Sequence, residues 1–148
     1  MADETAALIR RVLETTRTIA LVGASAKPER PSNQVMKYLL GQGYLVHPVN
    51  PGQAGKDIHR QPVYARLADV PGPVDMVDIF RNAAAVGDLI NEIIAIKPEK
   101  KIKTVWMQLG VVDEAAAARA RTAGLDVIMN RCPKMEIERL YGGESPLG

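Results

Sequence analysis

The clearest indication of how this chain folds comes from residues 18–32, TIALVGASAKPERPS. The first seven residues form a nearly continuous apolar run that breaks at Gly23, and such a run is typical of a strand buried on both faces of a parallel sheet. A polar loop with two prolines follows, and Ser32 is then placed to cap a helix whose apolar residues recur at helical spacing. A buried strand, a loop of small residues and a helix in this order predict the first unit of an α/β fold.

The same alternation of strand and helix patterns continues along the rest of the chain. Further strands are predicted over residues 44–49, 75–80, 104–109 and 125–129. Helices are predicted over residues 5–15, from Ser32 to Gly41, from Asn82 onward and over 114–123, with a short helical turn over 63–68. Because helix-linked parallel strands require right-handed crossovers, we expect a Rossmann-like three-layer α/β fold whose mostly parallel five-stranded sheet has the order 3-2-1-4-5. The tail, 130–148, is expected to be irregular or briefly helical and to fray over 142–148.

Length and composition indicate one ordinary globular domain that spans residues 1–148 and includes an amino-terminal helix within 1–16. The chain has 148 residues, 47% hydrophobic and 24% charged, which fits a domain whose core needs no disulfide. The formal net charge of +2, with no basic run interleaved with aromatic residues, argues against nucleic-acid binding. No apolar run reaches the length of a membrane span, no signal-peptide pattern opens the chain, and the single cysteine suits a reducing compartment. We therefore expect a cytoplasmic protein that does not bind membranes.

The loop after the first strand is the best candidate for a ligand site. In an open α/β sheet, ligands bind beyond the carboxyl ends of the strands, where the strand order reverses. The small residues Gly23, Ala24, Ser25 and Ala26 let the backbone approach a phosphate closely, and the free N–H groups at the start of the next helix favour an anion. Positive charge at the same edge comes from Lys27 and Arg30. The loop has one glycine rather than the G-x-G-x-x-G pattern, so a plain surface loop with two cations is the open alternative.

The end of the second strand narrows the class of ligand. NAD enzymes place an Asp or Glu there to bind the ribose 2′-OH, whereas residues 47–51 of this chain, HPVNP, contain no carboxylate. Two cations, Lys56 and Arg60, follow on the loop. This balance favours a phosphorylated ribose, as in coenzyme A or NADP, over the free diol of NAD. Asn50 and Pro51 also have the composition of a simple turn.

Two more strand ends reach the same edge of the predicted sheet. The third strand ends in Ile79, Phe80 and Arg81, where Phe80 either forms a wall for an adenine or fills the core, and Arg81 either meets a pyrophosphate or is solvated. The fourth strand ends in a turn of small residues that contains Gln108 and Gly110. Together these ends predict a neutral to basic rim.

Five segments in the same order and spacing resemble the small bacterial CoA-binding domain family, which is similar to the N-terminal CoA-binding domain of the succinyl-CoA synthetase alpha subunit. The matching segments are Ile19–Ser25, Val49–Pro51, Val74–Arg81, Val105–Val111 and Asn130–Cys132. The resemblance covers roughly residues 18–140 and implies coenzyme A or an acyl-CoA as the ligand.

The resemblance also implies roles for particular residues. Residues 24–27 would cradle the pyrophosphate, while Asn50, Pro51 and Lys56 would border the adenosine and its 3′-phosphate. Residues 79–81 would touch the adenine or the diphosphate. Family members usually carry a histidine where this chain has Ile137.

The sequence contains no recognisable catalytic or metal-binding constellation. His47 and His59 lie outside any motif, and Asp75 and Asp78, three apart on a strand, face opposite sides of the sheet. Cys132 is the one candidate nucleophile; it either forms a mixed disulfide with the thiol of CoA or is a buried structural thiol. We therefore expect a binding protein without catalytic residues, with an NADP-dependent reductase or a CoA- or redox-responsive regulator as alternatives. A homodimer or an unknown protein partner is compatible with the sequence.

Overall fold

The structure is a computed structural model that describes the backbone of residues 2–148 and the side chains of residues 5–148. Its helices are α1 (Ala2–Thr15), α2 (Pro31–Gly41), α3 (Ala83–Lys100), α4 (Glu114–Thr122) and α5 (Pro133–Tyr141). Its strands are β1 (Thr18–Val22), β2 (Leu45–Val49), β3 (Asp57–Ile58), β4 (Gln61–Pro62), β5 (Met76–Ile79), β6 (Thr104–Met107) and β7 (Asp126–Ile128). Short 3-10 helices lie at Pro51–Gln53 and Leu67–Asp69, and the latter overlaps only the end of the helical turn predicted over 63–68.

Five parallel strands form the main sheet in the order β2-β1-β5-β6-β7. This arrangement confirms the Rossmann-like α/β fold with a parallel five-stranded sheet. The predicted strand order was wrong, however: in the numbering of the five predicted strands, the observed order is 2-1-3-4-5 rather than 3-2-1-4-5. The third predicted strand, β5, pairs with β1 and not with β2.

The position of Pro48 explains this order. Its carbonyl accepts a hydrogen bond from the Tyr64 N–H at 3.0 Å, so the hydrogen-bonding side of Pro48 faces away from β1. A strand paired at that side would lack one ladder bond, because proline has no N–H, and proline in sheets is therefore confined to edge strands. β5 is buried at every position, as an interior strand requires, whereas Leu45 of β2 is 46% exposed.

The helices cover both faces of the sheet and complete the three layers. On one face, α3 and α4 pack against Val77, Val105 and neighbouring aliphatic residues of the strands. On the other face, α1, α2 and α5 enclose a second cluster that includes Leu21 and Trp106. Within the described part of the chain, no helix is both long enough and apolar enough to cross a membrane.

Asn82 and Asp113 cap α3 and α4, whereas the predicted cap Ser32 does not cap α2. Asn82 and Asp113 each accept a hydrogen bond from the N–H three residues further on, at 3.1 and 3.0 Å. Ser32 is not a cap: α2 begins one residue earlier at Pro31, because proline, which has no N–H to satisfy, suits the first helical position.

Sequence reasoning missed the hairpin of β3 and β4. His59 and Arg60 connect the two strands with φ angles of 48° and 66°. Both central residues of such a two-residue turn need positive φ, so the sequence there is usually Asn-Gly. His-Arg does not have that pattern, and the turn could not be predicted from it. After α5, the Ser145 hydroxyl donates to the Gln42 carbonyl at 2.6 Å and Leu147 packs near α2; fraying of 142–148 stays a prediction.

Candidate functional site

The carboxyl ends of β1 and β5 lie side by side, and two cavities open there. Strand order reverses between these neighbours in a 2-1-3-4-5 sheet, which is where such folds bind nucleotides. The α2 cavity, about 420 Å³, lies at the start of α2 and is lined by Gly23, Ala24, Ser25, Lys27, Arg30, Pro31, Ser32, Asn50, Phe80, Arg81, Gln108, Leu109 and Val111. The α3 cavity, about 310 Å³, lies beside α3 and is lined by Val22, Val49, Pro51, Ala65, Arg66, Leu67, Arg81, Ala85, Asp88, Leu89 and Glu92. Arg81 borders both, so the two cavities adjoin.

Gly23 lets the loop after β1 pass directly over the end of β5. Its φ is +91°, a conformation that other residues rarely adopt, and a Cβ at this position would lie 2.2 Å from the Phe80 carbonyl oxygen. Its N–H donates to the Val49 carbonyl at 3.0 Å, which ties the loop to β2 as well. The glycine therefore fixes three strand ends against one another.

The loop beside the α2 cavity carries unused donors and positive charge. Among the described residues, the backbone N–H groups of Ser25, Ala26 and Ser32 have no hydrogen-bond acceptor. Lys27 and Arg30 are exposed, and neither forms an ion pair with any described residue. Together with the helix dipole of α2, these groups can bind an anion.

Side chains brace the loop from both sides. Asn50 Nδ2 donates to the Ala24 carbonyl at 2.7 Å, and its Oδ1 accepts from the Gly52 N–H at 2.8 Å. Asn33 Nδ2 donates to the Ser25 carbonyl at 2.9 Å, and His59 Nε2 lies 2.9 Å from Asn33 Oδ1. The missed hairpin thus supports the loop through His59.

The α3 cavity combines aliphatic walls with charged groups at its rim. Leu67 is fully buried, while Arg66 and Asp88 are exposed. Sequence reasoning found only Pro51 and Arg81 of this cavity. The segment after β2 returns to the sheet edge because Tyr64 pairs with Val49, a contact that no local pattern shows. The predicted helical turn over 63–68 was the one available signal.

Four predicted site residues lie outside both cavities. The Ala26 side chain lines a separate cavity of about 310 Å³ next to His59. Lys56 is exposed on the turn before β3, and Ile79 is buried among the core residues beneath α3. Gly110 lies in the turn next to the α2 cavity, where its N–H donates to Asn130 Oδ1 at 2.7 Å.

Phe80 packs on the core and also lines a cavity, and Cys132 is enclosed; the adenine contact predicted for Phe80 stays a prediction. The Phe80 side chain lines the α2 cavity and packs against the core cluster beneath it. Cys132 is buried at the start of α5, and its neighbour Arg131 pairs with Glu136 at 3.5 Å. Ile137 is completely buried in the core.

Comparisons with known proteins agree with this fold and identify the family. Residues 17–138 match the family described as CoA binding domain. The chain is 30% identical over 135 residues to the uncharacterized protein YneT of Bacillus subtilis, covering 91% of this chain and 96% of that protein. This chain therefore belongs to the CoA-binding domain family.

Solved structures of similar proteins share the whole architecture. Prb, described as the PH1109 protein redesigned for binding, has 40% identity and a TM-score of 0.85, covering 93% of this chain and 92% of that one. A Thermus thermophilus protein, cell-free ID.343, has 35% identity and a TM-score of 0.84, covering 91% of this chain and 98% of that one.

Proposed function

We propose that this protein binds coenzyme A or an acyl-CoA in the two adjoining cavities and catalyses no reaction on it. The observation that carries the proposal is the loop after β1, where the unpaired N–H groups of Ser25 and Ala26 lie beside the unpaired cations Lys27 and Arg30. Backbone donors and fixed positive charge suit a pyrophosphate. Membership of the CoA-binding domain family supports CoA as the molecule that contains this pyrophosphate.

The two cavities suit the two ends of such a ligand. With the pyrophosphate at the loop, the adenosine lies toward Pro51 and the α3 cavity, where the aliphatic walls pack on the base. The exocyclic amine of adenine is a donor, and Asp88 and Glu92 offer acceptors in that cavity. Lys56, exposed on the turn before β3, is the cation we assign to the 3′-phosphate.

The pantetheine arm then extends in the opposite direction, across the α2 cavity. Its wall there is formed by Phe80, Gln108, Leu109 and Val111, a mainly apolar surface with one amide. This surface matches a neutral arm that contains methyl groups and two amides. An acyl group at the end of the arm would lie beyond Leu109, which is 55% exposed.

NAD fits this site less well than CoA does. β2 ends in Asn50, whose amide is engaged by the Ala24 carbonyl and the Gly52 N–H, so no carboxylate at that strand end is placed to bind a ribose diol. The proposal keeps the single-domain, cytoplasmic binding protein expected from the sequence.

Isothermal titration calorimetry of the purified chain with CoA, dephospho-CoA, NADP and NAD tests this function. We expect CoA to bind most tightly and dephospho-CoA more weakly, with Lys56→Gln reducing that difference. No heat with CoA at millimolar concentration would overturn the proposal. Binding of NADP in its place would favour a reductase, and alkylation of Cys132 that changes with bound CoA would favour a regulator.

A further inference from the structure

Two buried side chains in the middle of the sheet have oxygens without a hydrogen-bond partner. Asp78, on β5, is completely buried, and neither carboxyl oxygen has a partner within the described residues. Gln108, directly after β6, is 8% exposed, and its Oε1 is enclosed and equally unpartnered. Buried polar atoms without partners are rare and costly, so the pair calls for a physical explanation.

The sheet register brings the two side chains to the same face. Asp78 pairs with Trp106, which places Gln108 two residues further along the neighbouring strand as its diagonal neighbour. Diagonal neighbours on one face of a sheet are roughly 7–8 Å apart, within reach of a long side chain. Asp78 therefore lies one row beneath the floor of the α2 cavity, and Gln108 lies in that floor.

Two acceptors cannot bond to each other unless one of them carries a proton. Burial raises the pKa of Asp78 well above its ordinary value, and no charged group contributes to the shift. Asp78 forms no ion pair with any described residue, and its neighbours in the ladder are Leu21 and Trp106. A neutral carboxylic acid has one O–H donor, and Gln108 Oε1 is the nearby acceptor that lacks one.

We propose that Asp78, as a neutral carboxylic acid, donates to Gln108 Oε1 and thereby directs the Gln108 amide N–H groups into the α2 cavity to bind an amide carbonyl of pantetheine. No other hydrogen bond of the described structure holds the Gln108 side chain in a competing arrangement. Gln108 is then the specificity-determining residue for the arm of CoA, and Asp78 is its positioning residue. This inference rests on the proposed function, because it assigns one part of that ligand to one wall of the cavity.

The chemistry of the wall favours an amide over a phosphate at this point. Lys27 and Arg30 lie in the loop after β1, whereas Gln108 follows β6 and adjoins Leu109 and Val111. A neutral donor among apolar side chains suits a neutral carbonyl. Such a contact also separates CoA from nucleotides that lack the arm.

The test compares CoA with adenosine 3′,5′-bisphosphate, which lacks pantetheine, in calorimetric titrations. Gln108→Met keeps the length of the side chain but removes one neutral hydrogen bond, so we expect CoA to bind about three- to tenfold more weakly. The affinity for adenosine 3′,5′-bisphosphate should be unchanged. Gln61→Met on β4, outside both cavities, should change neither affinity. Equal weakening of both ligands by Gln108→Met, or no weakening of CoA, would overturn the inference.

Asp78 variants test the positioning role separately. Asn has the same size as Asp and keeps an N–H donor, so Asp78→Asn should retain CoA affinity. Asp78→Leu should weaken CoA binding as much as Gln108→Met does. The double variant Asp78→Leu/Gln108→Met should bind CoA no more weakly than Gln108→Met alone. The C=O stretch of a protonated carboxylic acid should appear in the infrared spectrum of the wild type and be lost in Asp78→Asn. Full CoA affinity in a folded Asp78→Leu protein, or no such band, would overturn the role of Asp78.

The same titrations distinguish this inference from the function on which it rests. A wild-type protein that binds neither ligand overturns the proposed function and the inference with it. A wild-type protein that binds both ligands, with CoA unaffected by Gln108→Met, overturns only the inference.

Discussion

Replacing Gly23 by alanine tests the close approach on which the site depends. The new methyl group would lie 2.2 Å from the Phe80 carbonyl oxygen, far inside van der Waals contact, and the backbone would have to hold φ at +91°. Either the loop after β1 lifts from β5 or β5 moves in the sheet. We expect both stability and ligand binding to suffer.

The size of the effect follows from these two contributions. A positive φ costs an alanine about 1–2 kcal/mol, and forcing extra volume into a packed contact costs a further 1–3 kcal/mol or so. The sum, about 2–5 kcal/mol, corresponds to a fall in Tm of roughly 4–20 °C for a protein of this size. Because the displaced loop carries the N–H groups of Ser25 and Ala26, CoA affinity should fall at least about tenfold, the equivalent of 1.4 kcal/mol.

Gly124→Ala is a matched control for the backbone contribution. Gly124 has a φ of +89°, and the atom nearest to a Cβ added there would be the Lys97 Nζ at 3.9 Å, the mobile end of a long side chain. This variant should lose only about 1–2 kcal/mol and keep its CoA affinity. Urea denaturation of both variants measures the free energies of unfolding. If Gly23→Ala is no less stable than Gly124→Ala, the contact between the loop and β5 is not as close as described.

Three further predictions concern the brace, the buried acid and the cations. Asn50→Ala removes the hydrogen bond to the Ala24 carbonyl, so it should lower the free energy of unfolding by about 1–2 kcal/mol and weaken CoA binding. An unchanged free energy of unfolding in urea titrations and an unchanged CoA affinity in calorimetry would contradict the bracing role. The pKa of Asp78 is raised in the folded protein. Above about pH 4 the carboxyl is therefore ionised in the unfolded chain but still protonated in the folded one. The free energy of unfolding then falls by about 1.4 kcal/mol per pH unit until the folded carboxyl also ionises. Asp78→Asn should flatten that slope in urea titrations from about pH 4 to 7, and an unchanged slope would argue that the carboxyl is ionised in the fold. Arg30→Gln should weaken CoA binding and reduce its salt dependence, measured by calorimetry at two salt concentrations. The control Arg121→Gln on α4 should change neither quantity. If the two variants changed CoA binding equally, the anion would lie elsewhere.

Sequence patterns predicted what depends on neighbours along the chain. The apolar run of β1, the helices that begin after Asn82 and Asp113, and the convergence of strand ends on one edge all follow from local chemistry. The strand order depends on whether a second strand can pair with the outer side of β2. Pro48 disfavours that pairing because it has no N–H to donate on that side. Its meaning becomes clear only once the direction of its carbonyl is known.

The missed half of the site has a different cause. The α3 cavity exists because Tyr64 folds back onto Val49, and Asp88 and Glu92 reach it from a helix that begins after the next strand. These residues carry no motif, and only the folded backbone brings them together. Asp78 likewise gave no signal, because a lone Asp in a strand pattern does not reveal that its carboxyl will have no partner.

The outward-facing proline of β2 also affects how molecules of this protein meet one another. An exposed sheet edge is a template on which a strand from a neighbouring molecule can extend the sheet. Along β2, Pro48 offers no donor, and its carbonyl is already occupied by the Tyr64 N–H. A strand from a neighbouring molecule could not complete the hydrogen-bond ladder at Pro48, and this gap disfavours association through β2.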